Sequence, residues 1–268
     1  MLKDITLGQF FPGDTVAHRL DPRTKILLVV LYIVALFCAK SLLAYGILAA
    51  VLAVCVRISR VGIKSLVRGL KPVVFIIVFT GILNLFFTPG EHILAELGFL
   101  RISAEGLQNA VFMVLRIMLL IMGTFLMTYT TSPISLTDGL ERLLGGLKKL
   151  HVPVHELAMM MSIALRFIPT LIEETDKIMS AQKARGADFE SGNLVQRAKA
   201  MIPILVPLFI SAFRRADELA TAMECRCYHG GEGRTKLHVL QYAPRDWAAL
   251  TAGLVITVGV IVLGRFGL

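Results

Sequence analysis

Two arginines carry the most informative chemistry in this chain, because each closes a copy of the same segment. Asp176-x-Ile178-x-Ser180-Ala181-x-x-x-Arg185 recurs 41 residues later as Asp217-x-Leu219-x-Thr221-Ala222-x-x-x-Arg226. Leu171, Ile178 and Arg185 are spaced by seven, as are Ala212, Leu219 and Arg226, so on a helix each arginine continues an apolar stripe. Both also fall at expected helix C-termini, where a cation interacts favourably with the dipole. Their flanks are small, Ala184 and Gly186 in one copy and Cys225 and Cys227 in the other, which lets a guanidinium enter a narrow pocket. Arginine suits bidentate pairing with a carboxylate at an interface. A lone arginine at a helix end commonly just caps it. Repetition of the match, the flanks and the stripe points instead to a pair of docking arginines for a partner present in two copies.

Other candidate groups are weaker. Cys225, Cys227 and His229, with His238 nearby, could supply soft metal ligands, but they lack the two-pair spacing of a structural zinc site. We expect no metal and no cofactor there; small flanks for Arg226 are the simpler role. Arg116 lies inside the apolar run "VFMVLRIMLLIMG", where a charge is costly and faces protein or water, or snorkels to the outer interface. Asn84 is a candidate hydrogen-bonding neighbour for it. No nucleophile–base pair, phosphate-binding glycine loop or paired buried carboxylates are recognisable, so no catalytic residue is expected.

The elements that must position these groups are membrane helices. The 268 residues are 56% hydrophobic and 18% charged, with a mean hydropathy of +0.72. A soluble domain carries roughly a quarter charged residues. Five spans are expected: Ile26–Ala39 and Leu42–Val56 as a tight hairpin, Val73–Phe87, about Leu107–Thr130, and Trp247–Val262. The first three are short for a bilayer core and need flanking residues or local thinning. The polar first 24 residues do not read as a cleavable signal. Loop 57–71 carries five Lys/Arg and no acid. Loop 88–105 sets Glu91, Glu96 and Glu105 against Arg101, and residues 131–245 hold 15 Lys/Arg. The positive-inside rule then places the N-terminus and residues 131–245 in the cytoplasm and the C-terminus outside. The net charge of +9 is explained by loops facing anionic lipid, without nucleic acid. Cytoplasmic cysteines stay reduced.

Residues 131–245 are too long for a loop and are patterned as helix. Pro133 in "SPISLTD" starts a short helix to about Lys149. Long helices then run over about His155–Arg185 and Leu194–Arg226, separated by "GADFESGN", the second stopped by Gly230 and Gly231. Pro169 in the first, and Pro203 and Pro207 in the second, are expected to kink them and act as hinges. Each long helix is apolar in its first half and amphipathic in its second.

The segments "AQKARGADF" and "AMECRCYHGG", with "GQFFPGDTVAHRLDPRTK", "LRFIPTLIEE" and the "GRTK…RDW" tail, resemble the T component of energy-coupling factor transporters, the family that includes CbiQ-type cobalt transport proteins. That resemblance covers essentially the whole chain. It implies an L-shaped, all-α membrane protein with long cytoplasmic coupling helices, divided as 1–130 (four spans), 131–245 (coupling helices) and 246–268 (last span). It further implies a non-catalytic coupling subunit of a vitamin or transition-metal importer in a bacterial or archaeal plasma membrane. Arg185 and Arg226 would dock on two ABC-type ATPase subunits, and the membrane side would hold a substrate-binding S component. Cys-Arg-Cys departs from the Ala-Arg-Gly type of flank. The flanks and form look more like the version shared among several S components than the dedicated metal version. The rival readings are a stand-alone secondary transporter and a membrane protein with a Cys/His metal or thiol site.

Overall fold

The structure is a computed structural model and describes residues 10–88, 93–97, 100–189, 191, 193–230 and 239–265; side chains between 89 and 102 are outside that description. The expectations for Gly231, His238, the "GRTK" stretch, the first polar residues and the charges of the 88–102 loop fall outside it. The chain forms two compact units, 8–142 with 240–268, and 143–239.

The first unit is built from α1 (Pro22–Cys38), α2 (Leu42–Ser59), α3 (Ile63–Leu70), α4 (Val74–Phe87), a hairpin of β1 (Ile93–Leu97) and β2 (Leu100–Ser103), α5 (Ala104–Thr130), α6 (Pro133–Leu143) and α9 (Pro244–Arg265). α5 packs against α1, α2, α3 and α4, and α1 packs along α9. The buried stripe of α2 is Ala44, Tyr45, Leu48, Leu52, Val56 and Ser59, one face at helical spacing, while Leu43, Val54 and Ile58 are exposed. Lipid tails are as apolar as leucine, so close packing rather than water exclusion must hold such helices together. Gly123 shows this: a Cβ there would lie 2.7 Å from the Tyr32 ring, so only glycine lets α1 approach α5.

Helix starts follow local chemistry. Asp21 caps α1 by accepting from the Arg23 amide at 2.9 Å, with Pro22 in the first turn. Ser41 and Ser103 cap α2 and α5 in the same way, at 3.2 and 2.9 Å. The 88–105 stretch, read from sequence only for its charge, contains the antiparallel hairpin, a small exception to an otherwise helical fold. Its short strands give too little periodicity to stand out beside four long apolar runs. The 57–71 loop likewise contains α3, whose Leu66 and Leu70 are buried.

The second unit holds a 3₁₀ segment (Leu144–Leu150), α7 (Val154–Ala184) and α8 (Leu194–Glu224), the two long helices being 31 residues each. Among the described residues six helical stretches are long and apolar enough to cross a membrane: α2, Ile63–Phe87, α5, α7, α8 (from Val195) and α9. This differs from the expected five. α7 and α8 qualify at a mean hydropathy of 1.3 because of their apolar first halves, against 2.1–2.3 for the others. α1, at 17 residues, measures about 25 Å and falls just short.

Candidate functional site

Both arginines occupy the same structural position. Arg185 is the residue that ends α7, and Gly186 follows it with φ 87°. Arg226 is followed by Cys227 with φ 55°. The amides of Gly186 and Ala187 donate to the carbonyls of Lys183 and Gln182, both at 3.0 Å. One repeat later the amides of Cys227 and Tyr228 donate to Glu224 and Met223, at 2.8 and 3.0 Å. This is the Schellman C-cap in both copies, with arginine at the capping residue and a left-handed residue next. The repeat extends inward, since the Ser180 hydroxyl donates to the Asp176 carbonyl and Thr221 to Asp217, at 2.8 and 2.9 Å. Small flanks were read as clearance for the guanidinium. Gly186 has a second reason, because a left-handed turn favours a residue without a Cβ.

Arg185, Arg226, Ala184, Gly186, Cys225 and Cys227 are all exposed, and among the described residues neither guanidinium has a bonded partner. α7 and α8 meet through Glu174, whose carboxylate accepts from the Ser211 hydroxyl and from Arg215 at 2.8 Å. The Gln182 amide adds a bond to the Pro203 carbonyl at 3.3 Å. That carbonyl is the one left open within α8 because Pro207 has no N–H to offer it. As residue numbers rise along α7, those of their partners fall along α8, so the helices run antiparallel. The two arginine tips therefore point away from each other, at most about 40 Å apart along the helices at 1.5 Å per residue. Pro169, Pro203 and Pro207 all lie inside these helices.

Arg116 is bonded to the first unit's own groups. Its guanidinium donates to the Tyr45 hydroxyl at 3.0 Å and to the Ala39 carbonyl at 3.5 Å, and lies 5.6 Å from the Phe37 ring centroid. Ala39 is the α1 C-cap, so the charge sits level with the α1–α2 turn and clamps that hairpin to α5. Asn84 is not its partner: the Asn84 amide donates to Thr80 of its own helix at 2.9 Å. Among the described residues no group of three His, Cys, Asp or Glu is arranged for a metal.

Sequence reasoning missed a polar clasp in the first unit. Asp246, 1% exposed, accepts from the Asp21 amide and from the Ala243 amide, both at 2.8 Å. The Arg23 guanidinium pairs with Asp21 at 2.9 Å and stacks 4.0 Å above the Tyr242 ring. The Lys25 ammonium donates to the carbonyls of Thr130 and His18, at 2.8 and 3.1 Å. Together these tie the starts of α1 and α9 to the end of α5. "LDPRTK" and "RDW" thus meet in space, although 225 residues separate Asp21 from Asp246. The Asp-Pro pair is a local helix-start signal that the expected start at Ile26 does not use, and nothing local points to its distant acceptor.

Several helices long and apolar enough to cross a membrane, together with two long helices that end in matched, exposed arginine caps, define a class of multi-pass membrane protein. The family model described as cobalt transport protein, CbiQ, matches residues 13–237. A relative from Thermosediminibacter oceani is 54% identical over 99% of this chain and 99% of its own length. One from Clostridium kluyveri is 54% identical over 96% and 95%, and one from Bacillus subtilis 48% over 96% and 97%. All three bear the name energy-coupling factor transporter transmembrane protein EcfT. The chain belongs to the EcfT/CbiQ family of energy-coupling factor transporter transmembrane components, and is a membrane protein.

Proposed function

We propose that this chain is the non-catalytic coupling subunit of an energy-coupling factor importer for vitamins or transition-metal ions. Arg185 and Arg226 each dock on one of two ABC-type ATPase subunits, and the membrane-facing side carries a substrate-binding S component. The observation that supports this most is the matched pair of exposed, unpaired guanidiniums on identical C-caps facing opposite ways, which suits two separate copies of a partner. The apolar face of α8 supports the second contact: Ile202, Leu205, Val206, Phe209, Ile210 and Phe213 are all exposed. A surface of that kind fits another membrane protein.

In operation, ATP draws the two ATPase subunits together and the anchored tips move with them. The antiparallel pair, locked at Glu174 and Gln182, carries the displacement, with Pro169, Pro203 and Pro207 absorbing the bend. The S component reorients as a result, while the body (residues 1–130 and 246–268) stays embedded and residues 131–245 work on the cytoplasmic side.

Photo-crosslinking tests the assignment. A benzophenone amino acid at Ala184 or Cys225 should capture ATPase polypeptides, and one at Phe209 a small membrane protein. If both tip positions yield no ATPase adduct in an assembled, transport-active complex, the docking assignment fails.

A further inference from the structure

We propose that a crevice between α1, α2, α5 and α9 holds one anionic phospholipid, its acyl chain along the apolar walls and its phosphate at Lys25 and Arg245. The crevice encloses about 420 Å³ and lies wholly within the first unit. Its walls include Leu28, Tyr32, Leu48, Cys55, Leu126 and Ile256. Its charged groups gather at one end, while Tyr32, Cys55 and Thr257 are the polar residues deeper in. Lys25 and Arg245 stand at the starts of α1 and α9, and Thr130 closes α5. Ala35, which also lines it, lies ten residues further along α1, about 15 Å deeper. A cationic mouth leading into a narrow apolar slot matches one headgroup and one chain.

Lys25 feels the charges of Asp246 and Asp21 nearby, but those acids make their direct contacts elsewhere. Asp246 receives two backbone amides, and Asp21 is paired with Arg23. An ammonium has three donors; Lys25 gives two of them to the carbonyls of Thr130 and His18. Arg245 is exposed and has no partner among the described residues. A phosphodiester would meet the remaining Lys25 donor and the Arg245 fork, whereas a zwitterionic headgroup would bring its own cation to the same place. A partner helix would have to bring an acidic side chain into register with both cations, whereas an anionic phospholipid carries its charge beside its chain. The Lys/Arg distribution sets this end on the cytoplasmic side, so the lipid belongs to the inner leaflet.

Native mass spectrometry of the full-length chain in detergent, titrated with dioleoyl-phosphatidylglycerol or dioleoyl-phosphatidylcholine, tests this. One phosphatidylglycerol should bind about thirtyfold more tightly than phosphatidylcholine, taking the usual contribution of two cations. Arg245→Gln, at an exposed and unpartnered position, should reduce that preference about fivefold. Ala252→Trp, which fills the crevice, should abolish retention of either lipid. Inorganic phosphate at millimolar concentration should not displace the phosphatidylglycerol. Equal retention of the two lipids, an unchanged preference in Arg245→Gln, or displacement by phosphate alone would overturn the proposal. So would a photo-crosslinker at Ala252 that captures a polypeptide in native membranes.

Discussion

Cys227 holds a left-handed backbone that its counterpart Gly186 adopts without penalty. A side chain in that region costs about 1 kcal/mol. Cys227→Gly should therefore tighten the α8 cap by about that amount while keeping Arg226 in place. Hydrogen exchange at the Tyr228 amide should slow by about fivefold. Gly186→Val should loosen the α7 cap and speed exchange at Ala187. Arg116 gives a second residue-scale test. Tyr45→Phe removes a partner of a charge in an apolar setting and should destabilise the membrane unit by about 1–3 kcal/mol, read from thermal unfolding in detergent. Asp21 gives a pH test. Burial acts to raise its carboxyl pKa, but the side-chain and backbone hydrogen bonds and the charge of Arg23 outweigh it, so the value is lowered. The stability it supplies is complete above the ordinary carboxylate range near about 4, and is lost as pH falls through the lowered value. Asp21→Asn should flatten the acid limb of a melting-temperature profile below about pH 4.

The α7–α8 pair is held by few polar contacts, and they concern different faults. Gln182 answers a carbonyl orphaned by Pro207, so Gln182→Ala should cost about 1 kcal/mol and broaden the distance distribution between spin labels on the two helices. The Glu174–Arg215 pair is about a quarter to a third exposed, so a double-mutant cycle should return below about 1 kcal/mol. A larger value would mean that the Ser211 bond acts jointly with it. The long helices were legible from their periodicity, with ends within about two residues of those expected, because each prolongs one apolar stripe through its prolines. Partner choice between helices was not legible. Asn84 looked like a neighbour of Arg116 by composition alone, yet its amide turns back on Thr80. The clasp at Asp246 escaped for a related reason: hydrogen bonds across 225 residues leave no spacing in the sequence. The cap geometry escaped because φ is not written in residue names when one copy has cysteine where the other has glycine.

At the scale of the whole molecule, membrane character and family were visible in composition and in the duplicated arginine segments, and the relatives place the chain among energy-coupling factor transmembrane components. What the two units do together is the proposed part: a body packed about α5, and an antiparallel helix pair whose ends reach opposite ways. The most direct measurement is co-purification of the assembled complex with both tips reversed in charge. Arg185→Glu combined with Arg226→Glu should abolish recovery of the ATPases while the membrane chain retains its S component and its melting temperature. Wild-type recovery of both ATPases with that double variant would contradict the account.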